Sequence, residues 1–149
     1  MRRPVRRPMS TSRPARKSRQ QVAALCYRNG DAGKEVLLIT SRDTGRWIVP
    51  KGWPIEGKDG AQSALQEAWE EAGVRKAQID SDPIGTYFYE KGLNDGDSIP
   101  VEAEVYLAHV TKLRDSYPEV DERERAWFAP KEAANLVDEP ELREILRTL

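Results

Sequence analysis

Three glutamates stand close together near the end of one predicted helix. They are Glu67, Glu70 and Glu71, and at about 100° per helical residue they fall within an arc of roughly 100°. Clustered carboxylate oxygens suit hard divalent cations, and Mg²⁺ in particular is held by a few carboxylates while it keeps waters and substrate phosphates as its other ligands. The pattern therefore indicates a site for a divalent cation.

The usual explanation for such a run of acids is a solvated helix face, and three local features argue against it. Glu67 and Glu71 are like charges one helical turn apart, which costs a few tenths of a kcal/mol in an isolated helix. No Lys or Arg lies three or four residues away within the helix to offset them. All three acids lie in the C-terminal half, where the helix dipole disfavours anions. We therefore expect a cation from outside the helix.

The helix that carries these acids is predicted over Gly60–Ala72. Asp59 can cap its first turn while Gln62 bonds back to it, and Gly73 provides the left-handed residue that ends a helix. Apolar side chains occupy the opposite arc, so that arc is predicted to pack on the core. These side chains are Ala61, Leu65, Ala68, Trp69 and Ala72.

Strand and helix patterns surround this helix in an α/β order. A glycine- and proline-containing loop at residues 51–57 precedes it, and two helices that begin at Pro130 and Pro140 end the chain. Apolar runs and alternation predict the strands. They lie at residues 20–27, 35–40, 47–50, 84–90, 101–107 and 125–129.

Residues 52–74 resemble the Nudix box, whose pattern is Gly-x5-Glu-x7-Arg-Glu-U-x-Glu-Glu-x-Gly-U with U apolar. Loop, helix cap, acids and terminating glycine all agree, so the match is specific. The residues on pattern are Gly52, Glu67, Glu70, Glu71, Gly73 and Val74.

The similarity extends over most of residues 19–149. Residues 35–50 resemble the entry to diphosphoinositol polyphosphate phosphohydrolases, and Pro50, Lys51 and Gly52 are similar to the asymmetric dinucleoside tetraphosphate hydrolases. Residues 125–134 match the strand and helix that commonly follow in both groups.

Two positions of the box depart from the family pattern. Gln66 stands where the family has an Arg that orients a neighbouring glutamate, and Gln66 can do so only through a neutral hydrogen bond. Lys58 stands where the family has Glu. This difference would change the number of bound metal ions or leave Glu56 to take the place of the missing glutamate. These departures motivate one alternative, a non-catalytic Nudix module that binds a phosphorylated ligand.

The resemblance implies an α/β/α sandwich, in which a mixed sheet lies between helices. It also implies an enzyme that uses Mg²⁺ or Mn²⁺ to hydrolyse the diphosphate linkage of a polyphosphorylated small molecule. Glu67 and Glu71 would be the principal metal ligands, Glu70 a further ligand or water holder, and the backbone carbonyl of Lys51 another metal contact. Which of these catalytic carboxylates is the general base stays open.

Residues outside the box are candidates for supporting roles. An acidic loop before the last strand offers a further catalytic acid, with Glu119, Asp121 and Glu122 as the candidates. Arg42 and Lys51, with Arg19 behind them, are predicted to bind the phosphates, because a multiply phosphorylated substrate needs cations close to the metal site.

Two further side chains have alternative interpretations. Arg46 is equally consistent with phosphate binding and with a surface charge beside Trp47. Trp53 either stacks on a base or ring of the substrate or closes the box loop over the core. The other tryptophans, Trp47, Trp69 and Trp127, are predicted as core.

The charge of the chain is near neutral but unevenly distributed. Residues 1–19 contain eight cations and no acid, which leaves a formal charge of -9 on residues 20–149. We expect residues 1–18 to be a disordered basic arm and residues 19–149 to be the Nudix domain. The arm suggests a second candidate activity, pyrophosphate removal from RNA 5′ ends, although nucleic acid is not the favoured partner.

The remaining sequence features bound the setting. No apolar stretch approaches the roughly 20 residues that cross a bilayer, so no membrane partner is expected. A single cysteine, Cys26, lies in an apolar run and indicates a buried thiol in a reducing compartment, with the cytoplasm as the expected location. The leading substrates are diadenosine polyphosphate and diphosphoinositol polyphosphate, and the acidic strand at residues 102–106 weakens the inositol alternative.

Overall fold

A computed structural model describes residues 18–149. The predicted basic arm, residues 1–18, therefore lies outside the described residues except for Ser18. The elements are β1 (Arg19–Gly30), β2 (Gly33–Thr40), β3 (Trp47–Ile48), β4 (Lys51–Gly52), α1 (Gly60–Ala72), β5 (Val74–Ile79), β6 (Gly85–Gly92), β7 (Ser98–Leu113), β8 (Arg125–Phe128), α2 (Pro130–Leu136) and α3 (Pro140–Arg147).

All strands of the described chain belong to one mixed sheet. Its order is β3-β2-β1-β7-β5, while β4 pairs with β1, β8 with β2 and β6 with β7. The pairing of β1 with β7 is parallel and runs from Arg19 opposite Val101 to Tyr27 opposite His109. The remaining pairings are antiparallel.

Helices cover both faces of the sheet. On one face α1 packs against Val22, Ala24 and Cys26 of β1, and on the other α2 and α3 pack against Ala23 and Leu25. Burial on both faces explains why β1 is apolar at successive positions instead of alternating. The predicted α/β/α sandwich with a mixed sheet is confirmed.

Helix α1 has the predicted bounds and caps. The Asp59 side chain accepts from the Gln62 N–H, the Gln62 side chain accepts from the Asp59 N–H, and Gly73 ends the helix with a φ of 74°. The predicted packing arc is confirmed for Ala61, Ala68 and Ala72, and Leu65 packs against the same cluster. The buried arc is wider on the side that carries Glu71, where small side chains let the helix approach the sheet, and it leaves out Trp69. The buried residues are Ala61, Ser63, Ala64, Ala68, Glu71 and Ala72.

Several elements differ from the sequence prediction. Strand β5 was not predicted, since it is an edge strand with polar side chains and an irregular register against β7. Strand β4 lies in the predicted loop, and β7 extends beyond the predicted strand at both ends. Trp47 and Trp127 pack on the core as predicted, whereas Trp69 is half-buried and belongs to neither core cluster.

None of the helices in residues 18–149 has the length and apolar composition that crossing a bilayer requires.

Candidate functional site

A cavity of about 860 Å³ lies beside the first residues of the box loop (residues 51–57) and the acidic side of α1. Its walls come from the turn after β2, from β4 and the box loop, from α1, from β6 and the loop that follows, and from the segment before β8. Glu67 and Glu71 are part of the α1 wall.

The carboxyl groups of Glu67 and Glu71 form a hydrogen-bonded pair in this wall. Burial, the hydrogen bond and the neighbouring charge of Glu71 raise the pKa of Glu67 to about 8. Burial also raises the pKa of Glu71, against the opposing effects of Arg123, the Glu67 hydrogen bond and the Lys51 N–H. Both shifts follow from two carboxyl groups lying close together and partly out of water, where their charged forms are disfavoured.

Strand β4 brings the backbone up to this pair. Gly52 and Lys51 pair with Val22 and Ala23 of β1, and the Lys51 N–H donates to Glu71 Oε1 at 3.3 Å. A Cβ built on Gly52 would lie 2.6 Å from Glu67 Oε1 and 2.8 Å from Oε2. The first glycine of the box is thus required by the space that the Glu67 carboxylate occupies.

Arg123 is a buried cation in the site that the sequence analysis missed. Its Nη2 lies 3.9 Å from Glu71 Oε2, its Nε lies 2.9 Å from Glu119 Oε1, and its Nη1 donates to the Thr40 carbonyl at 3.1 Å. The cation expected from outside the helix is therefore supplied in part by the chain itself, for Glu71 but not for Glu67. The available signal was the single arginine in the acidic stretch at residues 119–124.

The structure separates the candidate acids into two groups. Glu119 lines the cavity together with Glu67 and Glu71, whereas Asp121 and Glu122 lie outside the wall. Glu70 also lies outside it, and its Oε2 accepts from Gln66 Nε2 at 2.7 Å. Gln66 thus orients the neighbouring glutamate through the neutral hydrogen bond that its amide allows.

Two of the three predicted phosphate-binding cations line the cavity. Arg42 does so, although its Nη1 lies 2.9 Å from Glu122 Oε1 and 4.0 Å from Glu119 Oε1. The Lys51 side chain also lines it, and burial lowers the pKa of this amine to about 8. Arg19 is not in the wall; its guanidinium lies 5.4 Å from the centre of the Trp53 ring.

The two side chains with alternative interpretations both line the cavity. Trp53 is exposed, with 39% of its surface accessible, which favours an open ring over one that closes on the core. Arg46 pairs with the buried carboxylate of Glu139 at 2.9 Å, so it is not a simple surface charge.

The donor set is consistent with a divalent cation. Among residues 18–149, no group of three or more His, Cys, Asp or Glu side chains stands together as a metal cage. Mg²⁺ does not need such a cage, because it is commonly bound through one or two carboxylates, with waters and substrate phosphates completing its shell. A cation between Glu67 and Glu71 would remove the repulsion between their charges and offset the effect of burial on both.

The fold and this glutamate-bearing helix define the class to which the chain belongs. The family model described as the NUDIX domain matches residues 18–149, and the chain is a member of the Nudix family. Members of this family act on phosphoanhydride bonds and generally use divalent metal ions such as Mg²⁺. The family prediction is therefore confirmed, whereas the roles of the individual residues stay predictions.

The chain is similar to named hydrolases over most of its length. It is 28% identical to "Nudix hydrolase 16, mitochondrial" of Arabidopsis thaliana, over 79% of this chain and 67% of the relative. It is 25% identical to human diphosphoinositol polyphosphate phosphohydrolase 2, over 80% of this chain and 62% of the relative. The chain spans between 52% and 67% of the length of the first curated relatives.

Among solved structures, the chain resembles a C. elegans Ap4A hydrolase in a binary complex. The TM-score is 0.70 at 27% identity, and the match covers 86% of this chain and 92% of the hydrolase. The second structure of the same hydrolase gives a TM-score of 0.64 at 24% identity, over 88% of this chain and 95% of that one.

The cytoplasmic location expected from the sequence stays a prediction.

Proposed function

We propose that this protein hydrolyses a phosphoanhydride bond of a polyphosphorylated small molecule with the help of Mg²⁺ or Mn²⁺. The observation that carries the proposal is the Glu67–Glu71 carboxyl pair in the wall of the cavity, with the Lys51 N–H against it. Keeping the buried Glu71 beside the half-buried Glu67 is costly while both are charged, and a divalent cation removes that cost.

Glu67 and Glu71 are the proposed metal ligands, and the Lys51 carbonyl is a proposed additional contact. Glu70 lies outside the cavity wall with its Oε2 bonded to Gln66, and it is assigned the role of holding a water at the edge of the site. The bound ion would neutralise charge on the phosphate oxygens and lower the pKa of a coordinated water.

The other residues of the wall bind and orient the substrate. Arg42 and Lys51 line the cavity and are the proposed phosphate-binding cations. Trp53 also lines it, and Arg19, which lies outside the wall over the Trp53 ring, is a proposed supporting cation. Glu119 lies on the wall, where Arg123 binds it, and is the proposed acceptor for the proton of the attacking water.

The charges of the cavity favour a linear substrate over a densely phosphorylated ring. Three arginines of the wall are each paired with a carboxylate: Arg42 with Glu122, Arg46 with Glu139 and Arg123 with Glu119. A ring with many phosphates needs many free cations, whereas a dinucleoside polyphosphate spreads few charges along a chain and presents bases that can stack on an exposed indole. We therefore propose a diadenosine polyphosphate ahead of a diphosphoinositol polyphosphate.

A turnover assay with product identification tests this function. The purified protein is incubated with Mg²⁺ or Mn²⁺ and a panel of dinucleoside polyphosphates, nucleoside diphosphate derivatives, diphosphoinositols and a 5′-triphosphate RNA. We expect hydrolysis of the dinucleoside polyphosphates, and at least about a 100-fold loss in Glu71→Gln. Glu132→Gln, an exposed acid on α2, is the matched control and should keep the activity of the parent protein.

The same panel tests the non-catalytic alternative, for which the neutral Gln66–Glu70 hydrogen bond is the specific observation. Ligand binding without release of any product would favour a binding module and would overturn the proposed hydrolysis. Hydrolysis that is equal in the parent protein and in Glu71→Gln would show that the acid pair does not perform it.

A further inference from the structure

Arg46 and Glu139 form an ion pair at one end of the cavity. Arg46 Nη2 lies 2.9 Å from Glu139 Oε2, and Nη1 lies 3.8 Å from Oδ2 of the exposed Asp138. Arg46 lines the cavity, whereas Glu139 does not line it and is only 7% exposed. The ligand space at this end therefore meets a cation whose counter-charge is buried in the protein.

The backbones on both sides of this pair are fixed. The Arg46 N–H donates to Ser41 Oγ at 3.1 Å, and the Arg46 carbonyl accepts from the Ser41 N–H at 2.8 Å. Glu139 directly precedes α3, whose Leu142 and Leu146 are fully buried in the core. The direction of the Arg46 guanidinium is therefore set by its bond to Glu139.

Stability alone does not account for the pair. Within the described residues, Arg46 Nη1 and Glu139 Oε1 are buried without a hydrogen-bond partner. Buried ion pairs with unfinished hydrogen bonding contribute little to folding, and apolar replacements are often as stable or more so. A role in ligand binding is the better explanation for a charge pair at the wall of a cavity.

We propose that Glu139 is a positioning residue that acts through Arg46 to limit the negative charge that this end of the cavity accepts. Glu139 holds the guanidinium against the wall and cancels its charge. A lightly charged part of the substrate is then accepted, and a densely phosphorylated one is rejected. The inference rests on the proposed function in that it takes this cavity to be the substrate's.

Binding of two probes of different charge tests the proposal. ATP and inositol hexakisphosphate are titrated into the metal-free protein by calorimetry at fixed ionic strength, so no turnover is required. Glu139→Gln keeps the shape of the side chain and removes its charge. We expect inositol hexakisphosphate to bind about tenfold more tightly to this variant, and ATP to change by less than about threefold.

A charge-matched control and a second substitution separate positioning from long-range charge effects. Glu141→Gln removes one exposed charge from the same helix and should change neither affinity by more than about twofold. In an Arg46→Gln background, Glu139→Gln should shift the ratio of the two affinities by less than about threefold, because the coupling between the pair is lost.

Several outcomes would overturn the proposal. One is that the ratio of the inositol hexakisphosphate affinity to the ATP affinity is the same in Glu139→Gln as in Glu141→Gln. Another is that Glu139→Gln shifts this ratio just as much in the Arg46→Gln background, and a third is that the parent protein binds neither probe. If Glu139→Gln shows no thermal unfolding transition and so is not folded, it is replaced by Glu139→Asp, which withdraws the carboxylate from Arg46. The ratio should then move about threefold in the same direction, and an unmoved ratio refutes the role. Failure of the proposed hydrolysis is detected separately, as absence of product in the turnover assay.

Discussion

Substitution of Gly52 by alanine should disable the site while leaving the fold intact. The new Cβ would clash first with Glu67 Cδ and would lie 2.6 Å from Oε1, whereas ordinary contact begins at 3.4 Å, so the carboxyl group must move by about 1 Å. A displacement of roughly 1 Å at a reacting group can cost about 100-fold in rate. The fold should tolerate the change, because Gly52 is not among the glycines with positive φ and the crowded atoms are the tip of a flexible side chain.

The assay measures kcat/KM on the best substrate of the panel, together with the free energy of unfolding in urea. We expect a loss of about 100-fold in kcat/KM with a change in stability within about 1 kcal/mol. Gly30→Ala is the matched control, since its Cβ would likewise crowd a glutamate tip, at 2.9 Å from Glu35 Oε1 on the hairpin outside the cavity. A Gly52→Ala protein as active as Gly30→Ala would refute the assignment of Glu67 to the site.

Three other changes test the electrostatics of the site. Arg123→Met removes the cation from the buried carboxylate of Glu71 and the partly exposed one of Glu119, and it should lower the free energy of unfolding by about 3 kcal/mol, measured in urea; a loss below about 1 kcal/mol would contradict the pairing. The pKa of Glu67 rises from 4.5 to about 8 on folding, so between these pH values the folded state binds more protons than the unfolded state. The free energy of unfolding of the metal-free protein should therefore fall as the pH is raised from 4.5 to about 8. The fall should be smaller in Glu67→Gln, and Mg²⁺ should raise Tm more at pH 8 than at pH 5.5; identical pH profiles would count against the raised pKa. Gln66→Ala releases Glu70 and should lower kcat by about fivefold, roughly the worth of one neutral hydrogen bond, and an unchanged kcat would show that this bond is not used.

The sequence was sufficient for features that depend on neighbouring residues. Helix α1 begins and ends as predicted because Asp59, Gln62 and Gly73 act within one turn of its ends. The last two helices begin at Pro130 and Pro140, as predicted, because proline suits the first turn of a helix.

Features that depend on distant contacts were not predictable in this way. Strand β5 has few apolar residues and becomes a strand through its pairing with β7. Arg123 reaches Glu71 and Thr40 across large separations in sequence, so no local pattern links them. The burial of Glu71 follows from how closely the alanines of α1 approach the sheet, which the helical periodicity alone does not specify.

The parallel pairing of β1 with β7 has a consequence for biosynthesis. The first strand of the described chain must wait for residues 101–109 before its central partner exists. Until then β1 of a nascent chain can pair only with β2 and β4, and its apolar faces stay open to chaperones and to self-association. Such long-range closure slows folding, so we expect the domain to reach its native state only when most of the chain has left the ribosome.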